Sequence, residues 1–321
     1  MKYISAINTY EMKWYSILIC LILIISCQSK NKLQPGEGFI QVKGGKVWYR
    51  IVGSGSKTPL LLLHGGPGVP SYYLNPMSAL ANDRSVIFID QLGCGRSDRI
   101  TDTSLLNVNS FVEQLEEVRN ALHLHDFYLY GHSWGTMLAM DYYLAHPQGI
   151  KAIIFASPCL DIPRWQRDAD TLVAALPDSI QQTIRRNEAN KTYKDSSYQN
   201  AIGVYYQHHL TITPPSANDD STQKGIAENV YAFMWGPSEF TATGNLKNYN
   251  RTSQLKDIKV PVLYVCGDHD EARPVTVKYF QSLTPGSKLA VISNSAHLTM
   301  KDNTSENGRV IAEFLNEVDH K

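Results

Sequence analysis

Tyr128-Leu129-Tyr130-Gly131-His132-Ser133-Trp134-Gly135-Thr136-Met137-Leu138-Ala139 decides how the rest of the chain is read. An apolar, aromatic run of strand length meets a run of small and helix-forming residues. Between them stands Gly-x-Ser-x-Gly, with Gly131, Ser133 and Gly135. A strand-to-helix elbow at this spacing forces the central serine into a strained backbone conformation. The flanking glycines leave room where the chain crosses itself. The serine hydroxyl is then presented at the tip of the turn, beside the positive end of the following helix. A serine in a glycine-rich turn can be purely structural, so the test is whether the other parts of a hydrolase lie at matching strand ends.

Outward from the elbow, the chain alternates strands with helices. Pro59–Leu63 is a continuous apolar run, as expected of a strand buried on both faces, and it ends in His64-Gly65-Gly66-Pro67-Gly68. Ser85–Ile89 is a second such run, closing with Asp90-Gln91-Leu92-Gly93-Cys94-Gly95-Arg96-Ser97. Val108–Leu122 has helical spacing, with Phe111, Leu115, Val118 and Leu122 on one face, and Ile150–Ala156 is another buried strand. Upstream, Gly38–Val52 alternates around Gly44-Gly45 as a hairpin would. Regularity lapses between about Cys159 and Asn250, where amphipathic pieces such as Asp170–Leu176 and Ile180–Glu188 imply a mostly helical insertion. Alternation resumes with the strand Val260–Cys266, a helix over Val275–Leu283, the strand Lys288–Ile292 and a closing helix over Glu306–Val318. The pattern predicts an α/β fold, a doubly wound and mostly parallel sheet with helices on both faces. The expected layout is a core of residues 38–158 and 251–321 with a helical cap, 159–250, over the site.

Ser133 needs a base. Of ten histidines, His297 stands apart, because Ser293-Asn294-Ser295-Ala296-His297 is a small polar loop directly after the last strand. A neutral imidazole there can take the serine proton and return it to a leaving amine. The base needs a carboxylate, and the expected chain order is serine, acid, histidine. Asp268 and Asp270 both follow the Cys266 strand. Asp270 is preferred, since Gly-x-x-Asp sets it beyond the turn, whereas Asp268 suits stabilising the turn itself. An oxyanion needs two backbone donors. One is expected from Trp134, the residue after the nucleophile. The other is expected from the His64–Gly68 loop, from Gly66 first and Gly65 next.

Assembled in this way, the chain resembles the prolyl iminopeptidase family of α/β-hydrolases, which includes prolyl aminopeptidases, tricorn-interacting aminopeptidases and amino-acid amidases. The resemblance runs from about Gly38 to Leu315. It is carried by His64-Gly65-Gly66-Pro67-Gly68, by Asp90-Gln91-x-Gly-x-Gly-x-Ser97, by Gly-x-Ser-Trp-Gly-Thr and by the interval from Asp270 to His297. His132, where many members have glycine, and Leu92, where arginine is common, depart from the pattern. The resemblance implies an α/β-hydrolase fold and a serine aminopeptidase that releases N-terminal residues, preferably proline, from short peptides. It also implies two amine-binding carboxylates, Glu239 within Gly236-Pro237-Ser238-Glu239-Phe240 and Glu271 beside Asp270. A cationic amine needs anionic partners, held at a fixed distance from Ser133. The alternatives are an amidase or esterase acting on amino-acid derivatives, or a non-catalytic binding lipoprotein.

The bulk properties agree with an enzyme and exclude other classes. The chain has 321 residues, 43% of them apolar, enough for one large domain. Lys+Arg and Asp+Glu both number 30, so no net charge draws it to nucleic acid or to an anionic surface. No CxxC or HExxH pattern is present, and neither a metal nor an organic cofactor is expected. Met12-Lys13-Trp14-Tyr15 leads into an apolar run, Ser16–Ile25, too short for a comfortable span, and then Ser26-Cys27. This resembles a lipoprotein signal over residues 1–27, with Ile24-Ile25-Ser26-Cys27 as lipobox, Cys27 as the lipidated residue, and Met12 as an alternative start. Residues 28–37 would be a tether. The expected location is outside the cytoplasm, on a bacterial membrane.

Overall fold

The computed structural model describes residues 33–320. The expected export signal and Cys27 lie outside the described residues. Strands β1 (Gly36–Val42), β2 (Gly45–Val52), β3 (Lys57–Leu63), β4 (Arg84–Asp90), β5 (Phe127–His132), β6 (Ile150–Ala156), β7 (Val262–Gly267) and β8 (Lys288–Ile292) form one sheet. Their order is β1-β2-β4-β3-β5-β6-β7-β8. The β1–β2 hairpin and the β2–β4 pair are antiparallel, and the remaining pairs are parallel. β1 begins two residues inside the expected tether, because Gly36 and Glu37 pair with Ile51 and Arg50.

The chain lays down β3 and then β4 on one side of it, and crosses back to place β5 on the other. The carboxyl ends of β3 and β5 therefore flank the point where the winding reverses, where such sheets open a crevice. Leu60–Leu63 and Phe127–Tyr130 are fully or almost fully buried, as the continuous apolar runs require. Helices α1 (Val108–Ala121), α2 (Trp134–Ala145), α8 (Pro274–Ser282), α9 (Thr299–Asp302) and α10 (Thr304–Asp319) cover the sheet.

Five α-helices lie between β6 and β7. They are α3 (Ile162–Val173), α4 (Asp178–Asn190), α5 (Ser196–His209), α6 (Ala217–Gly225) and α7 (Glu228–Met234). The insertion leaves and re-enters at one neck, where Asp161 bridges Asn250, the Ile162 amide donates to the Tyr249 carbonyl (3.0 Å) and the Arg251 amide donates to the Leu160 carbonyl (2.9 Å). Its own core is small and partly aromatic: Val173, Leu176, Ile184, Tyr198, Ala201, Ile202 and Tyr205. The helix expected over 170–176 starts earlier, because Asp161 caps it by accepting from the Arg164 amide and Pro163 sits in its first turn.

Candidate active site

Ser133 stands at the tip between β5 and α2 with φ +54° and ψ −121°, a conformation costly for a non-glycine residue. The glycines explain how it is held. A Cβ on Gly131 would lie 2.3 Å from the Gly135 carbonyl oxygen, and one on Gly135 would lie 2.3 Å from that of Leu63. The elbow is thus pressed against itself and against the end of β3. The Ser133 side chain makes no capping bond to α2, which leaves its hydroxyl free.

The loop after β3 meets the elbow edge to edge. A Cβ on Gly65 would lie 3.1 Å from Ser133 Cβ, and Gly66 has φ +111°, which favours glycine. The Gly65 amide donates to Tyr73 Oη at 2.7 Å, so it is already engaged. The Gly66 amide has no such partner, and Trp134, the first residue of α2, has no intrahelical acceptor for its amide. Two backbone donors therefore stand on either side of the serine.

His297 follows β8 and is buried. Its Nδ1 lies 2.8 Å from Asp270 Oδ1. Asp270 is itself buried and accepts from the Ala272 amide (2.7 Å), the Gly267 amide (3.2 Å) and Ser157 Oγ (2.6 Å). With Asp270 accepting at Nδ1–H, the neutral ring presents a bare Nε2. Asp268 does something else: it accepts from the Asn294 and Ser295 amides, both at 3.0 Å, and so ties the histidine loop to the end of β7. Ser133 and His297 line one cavity without an Oγ–Nε2 hydrogen bond, a contact that is often long before substrate binds.

The cavity measures about 1660 Å³ and lies between the sheet and the cap. Glu239, at the end of the insertion, and Glu271 both line it. Glu239 Oε2 accepts from Tyr231 Oη at 2.9 Å. Glu271 is buried, its Oε1 is 3.7 Å from His297 Nε2, and its Oε2 is buried without any hydrogen-bond partner. Burial raises the Glu271 carboxyl well above the usual range and the nearby Glu239 charge raises it further, while His297 pulls it back. Glu239 is raised by burial, against the bond from Tyr231. For His297, burial disfavours the imidazolium, but the charges of Asp270 and Glu271 outweigh it and lift the ring to about 9. Two carboxylates crowded in low dielectric, one with an orphaned oxygen, make a receptacle for a cation.

Several contributors escaped sequence reading. Tyr73 sits in a 3-10 run, Ser71–Asn82, that carried no periodic signal, and Ser157 has φ +46° just past β6. The carbonyl of His209, at the end of α5, accepts from the amides of both Glu271 (3.3 Å) and His297 (3.1 Å), so the cap is bonded to the base loop. Among the described residues, no group of His, Cys, Asp and Glu is arranged to hold a metal ion.

The sheet, the serine elbow and the histidine–carboxylate pair define an α/β-hydrolase, and a profile of the alpha/beta hydrolase fold matches residues 58–304. The chain belongs more narrowly to the proline iminopeptidase family. It is 45% identical to a proline iminopeptidase of Heyndrickxia coagulans, over 88% of this chain and 99% of that protein. It is 34% identical to the proline iminopeptidase of Saccharolobus solfataricus, over 88% and 93%. Among solved structures, VinJ superposes with a TM-score of 0.85 at 31% identity, covering 89% of this chain and all of VinJ. A proline iminopeptidase of Mycobacterium smegmatis superposes at 0.81 with 28% identity, over 88% and 99%.

Proposed function

We propose that the protein is a serine aminopeptidase that removes N-terminal proline from short peptides. The observation that carries this reading is the Glu239–Glu271 pair, with its unpartnered buried oxygen, in the same cavity as Ser133 and His297. A free α-amine bound there is cationic, and two anions in a desolvated pocket recognise it strongly. Its distance from Ser133 lets only the first peptide bond reach the nucleophile. Ser133 Oγ attacks the carbonyl carbon while its proton passes to His297 Nε2, with Asp270 holding the imidazolium. The oxyanion accepts from the amides of Gly66 and Trp134. As the C–N bond breaks, His297 returns the proton to the leaving amine. Water then attacks the acyl carbon as its proton passes to His297 Nε2, and His297 returns that proton to Ser133 Oγ as the C–O bond breaks and the free amino acid leaves.

Proline preference follows from the rings around the amine receptacle. Trp165, Tyr231 and Trp235 line the cavity, with Trp165 edge-on to both His297 (5.8 Å) and Trp235 (6.2 Å). Aromatic walls suit a compact pyrrolidine ring whose carbons carry part of the ammonium charge. A cavity of this size holds several residues beyond the first, which favours peptides over single amino-acid amides. Incubation with Pro-Ala-Gly should yield proline and Ala-Gly by mass spectrometry, with no product from Ser133→Ala. Cleavage at the second bond would defeat the exopeptidase assignment.

The same proposal places the enzyme outside the cytoplasm, lipid-anchored at Cys27, on the strength of residues 12–27. Cys27→Ala should move the protein from the membrane fraction to the soluble one. A wild-type protein that fractionates as soluble would remove the anchor.

A further inference from the structure

His132 lies immediately before the nucleophile and is 98% hidden from solvent, yet no step of the proposed chemistry uses it. Both of its nitrogens are bonded. Nε2 is 3.0 Å from the His297 carbonyl oxygen, and Nδ1 is 2.9 Å from Tyr73 Oη. A carbonyl can only accept, so the proton is on Nε2 and Nδ1 is bare. Tyr73 must then donate to Nδ1, and its oxygen remains free to accept the Gly65 amide at 2.7 Å. Every donor and acceptor is used in one direction: Gly65 N–H to Tyr73 Oη–H to His132 Nδ1, and His132 Nε2–H to the His297 carbonyl.

We propose that His132 is a positioning residue that fixes the oxyanion loop and the base loop at one spacing across the nucleophile. The relay ends on the Gly65 amide, one residue before Gly66, whose own amide is the proposed oxyanion donor. Its other end holds the backbone of the base itself. The His297 carbonyl has one other donor, Ser157 Oγ at 2.9 Å, but that hydroxyl has a single proton and lies closer to Asp270 Oδ2, at 2.6 Å. When Ser157 serves Asp270, His132 alone holds the carbonyl. The rings reinforce the relay, with His132 edge-on to Tyr73 (5.2 Å) and to His297 (4.7 Å). Burial first, and then the neighbouring His297, keep His132 neutral far below the ordinary imidazole range, so the direction of the relay survives across working pH. Misplacement of a reacting group by about 1 Å can cost on the order of 10²-fold in rate, which sets the scale of the effect.

The proposal rests on the serine-hydrolase reading but not on the amine clamp, so p-nitrophenyl acetate, which carries no amine, is assayed beside proline p-nitroanilide. The variants are His132→Phe, which removes both bonds, His132→Asn, which retains an acceptor toward Tyr73, His132→Gln, which retains a donor toward His297, and Tyr73→Phe. His132→Phe should lower kcat on both substrates about tenfold to a hundredfold, with KM within about threefold. Asn and Gln should each recover part of the loss, and Tyr73→Phe should fall between them and the wild type. Unchanged kcat in a folded His132→Phe, or a loss confined to KM, overturns the proposal. If His132→Phe does not fold, Tyr73→Phe decides, because it deletes one oxygen and keeps the ring; wild-type kcat there also overturns it. Wild-type turnover of the acetate without turnover of the prolyl substrate would instead count against the aminopeptidase reading and leave the relay testable on the ester.

Discussion

The two halves of the site are built in different ways. On the sheet side, Ser133, Gly66 and Trp134 are placed by backbone: a positive φ, glycines that no Cβ could replace, and a helix end. On the cap side, Glu239 stands on an irregular segment after α7, and the rings beside it are carried by helices, Trp165 by α3 and Tyr231 by α7, of an insertion that has only a small core of its own. On the proposed function, the sheet side would supply bond-breaking that is indifferent to the substrate's identity, and the cap side would supply choice. Glu271 sits at the junction, on the sheet by sequence and bonded through its amide to the cap carbonyl of His209.

If the halves divide in this way, removing a sheet-side group should abolish all hydrolysis. Ser133→Ala should lose about 10⁶-fold in kcat, on prolyl and neutral ester substrates alike. Asp270→Asn, which leaves His297 free to take the wrong tautomer, should lose about 10⁴-fold. A cap-side loss should be selective. Glu239→Gln and Glu271→Gln should each reduce kcat/KM for proline p-nitroanilide on the order of 10²-fold, as expected for one partner of a buried charge pair. Hydrolysis of p-nitrophenyl acetate should hardly change. Equal losses on both substrates would erase the division.

The junction should show itself in pH dependence. His297 acts as base only when neutral, and Asp270 and Glu271 hold it protonated up to about 9. Activity as kcat/KM should therefore rise with pH through an ascending limb near 9. Glu271→Gln removes one of the charges that lift the ring, so its limb should move to lower pH; a limb unmoved in a pH–rate profile would uncouple the two groups. The smallest effect belongs to the neck. Asp161→Ala removes a helix cap and should cost about 1 kcal/mol of stability in a denaturant melt, with kcat within about twofold of wild type.

The same division governs what was legible in the sequence. Gly131, Ser133, Gly135 and the loops at 64–68 and 293–297 could be found because backbone constraints leave few residue choices, and continuous apolar runs mark strands buried on both faces. Asp270 is preferred to Asp268 on turn geometry together with the family resemblance, and the two have different partners. Glu239 had no local signal at all and came only from family resemblance. The cap helix α5 went unmarked because its residues are aromatic and polar around most of its circumference, Tyr198, Tyr205 and Tyr206 among them. Tyr73 was invisible for a related reason: a 3-10 run interrupted by Pro76 has no 3.6-residue period to detect.

On the proposed function, a free α-amine held by Glu239 and Glu271 directs Ser133 to the first peptide bond. The most direct test compares release of p-nitroaniline from proline p-nitroanilide and from its N-acetyl derivative, using protein that begins after Cys27. The account predicts rapid turnover of the free amine, a loss on the order of 10²-fold or more on acetylation, and no turnover of either by Ser133→Ala. Equal rates on the two substrates, both lost in Ser133→Ala, would contradict it and leave a hydrolase without an amine clamp.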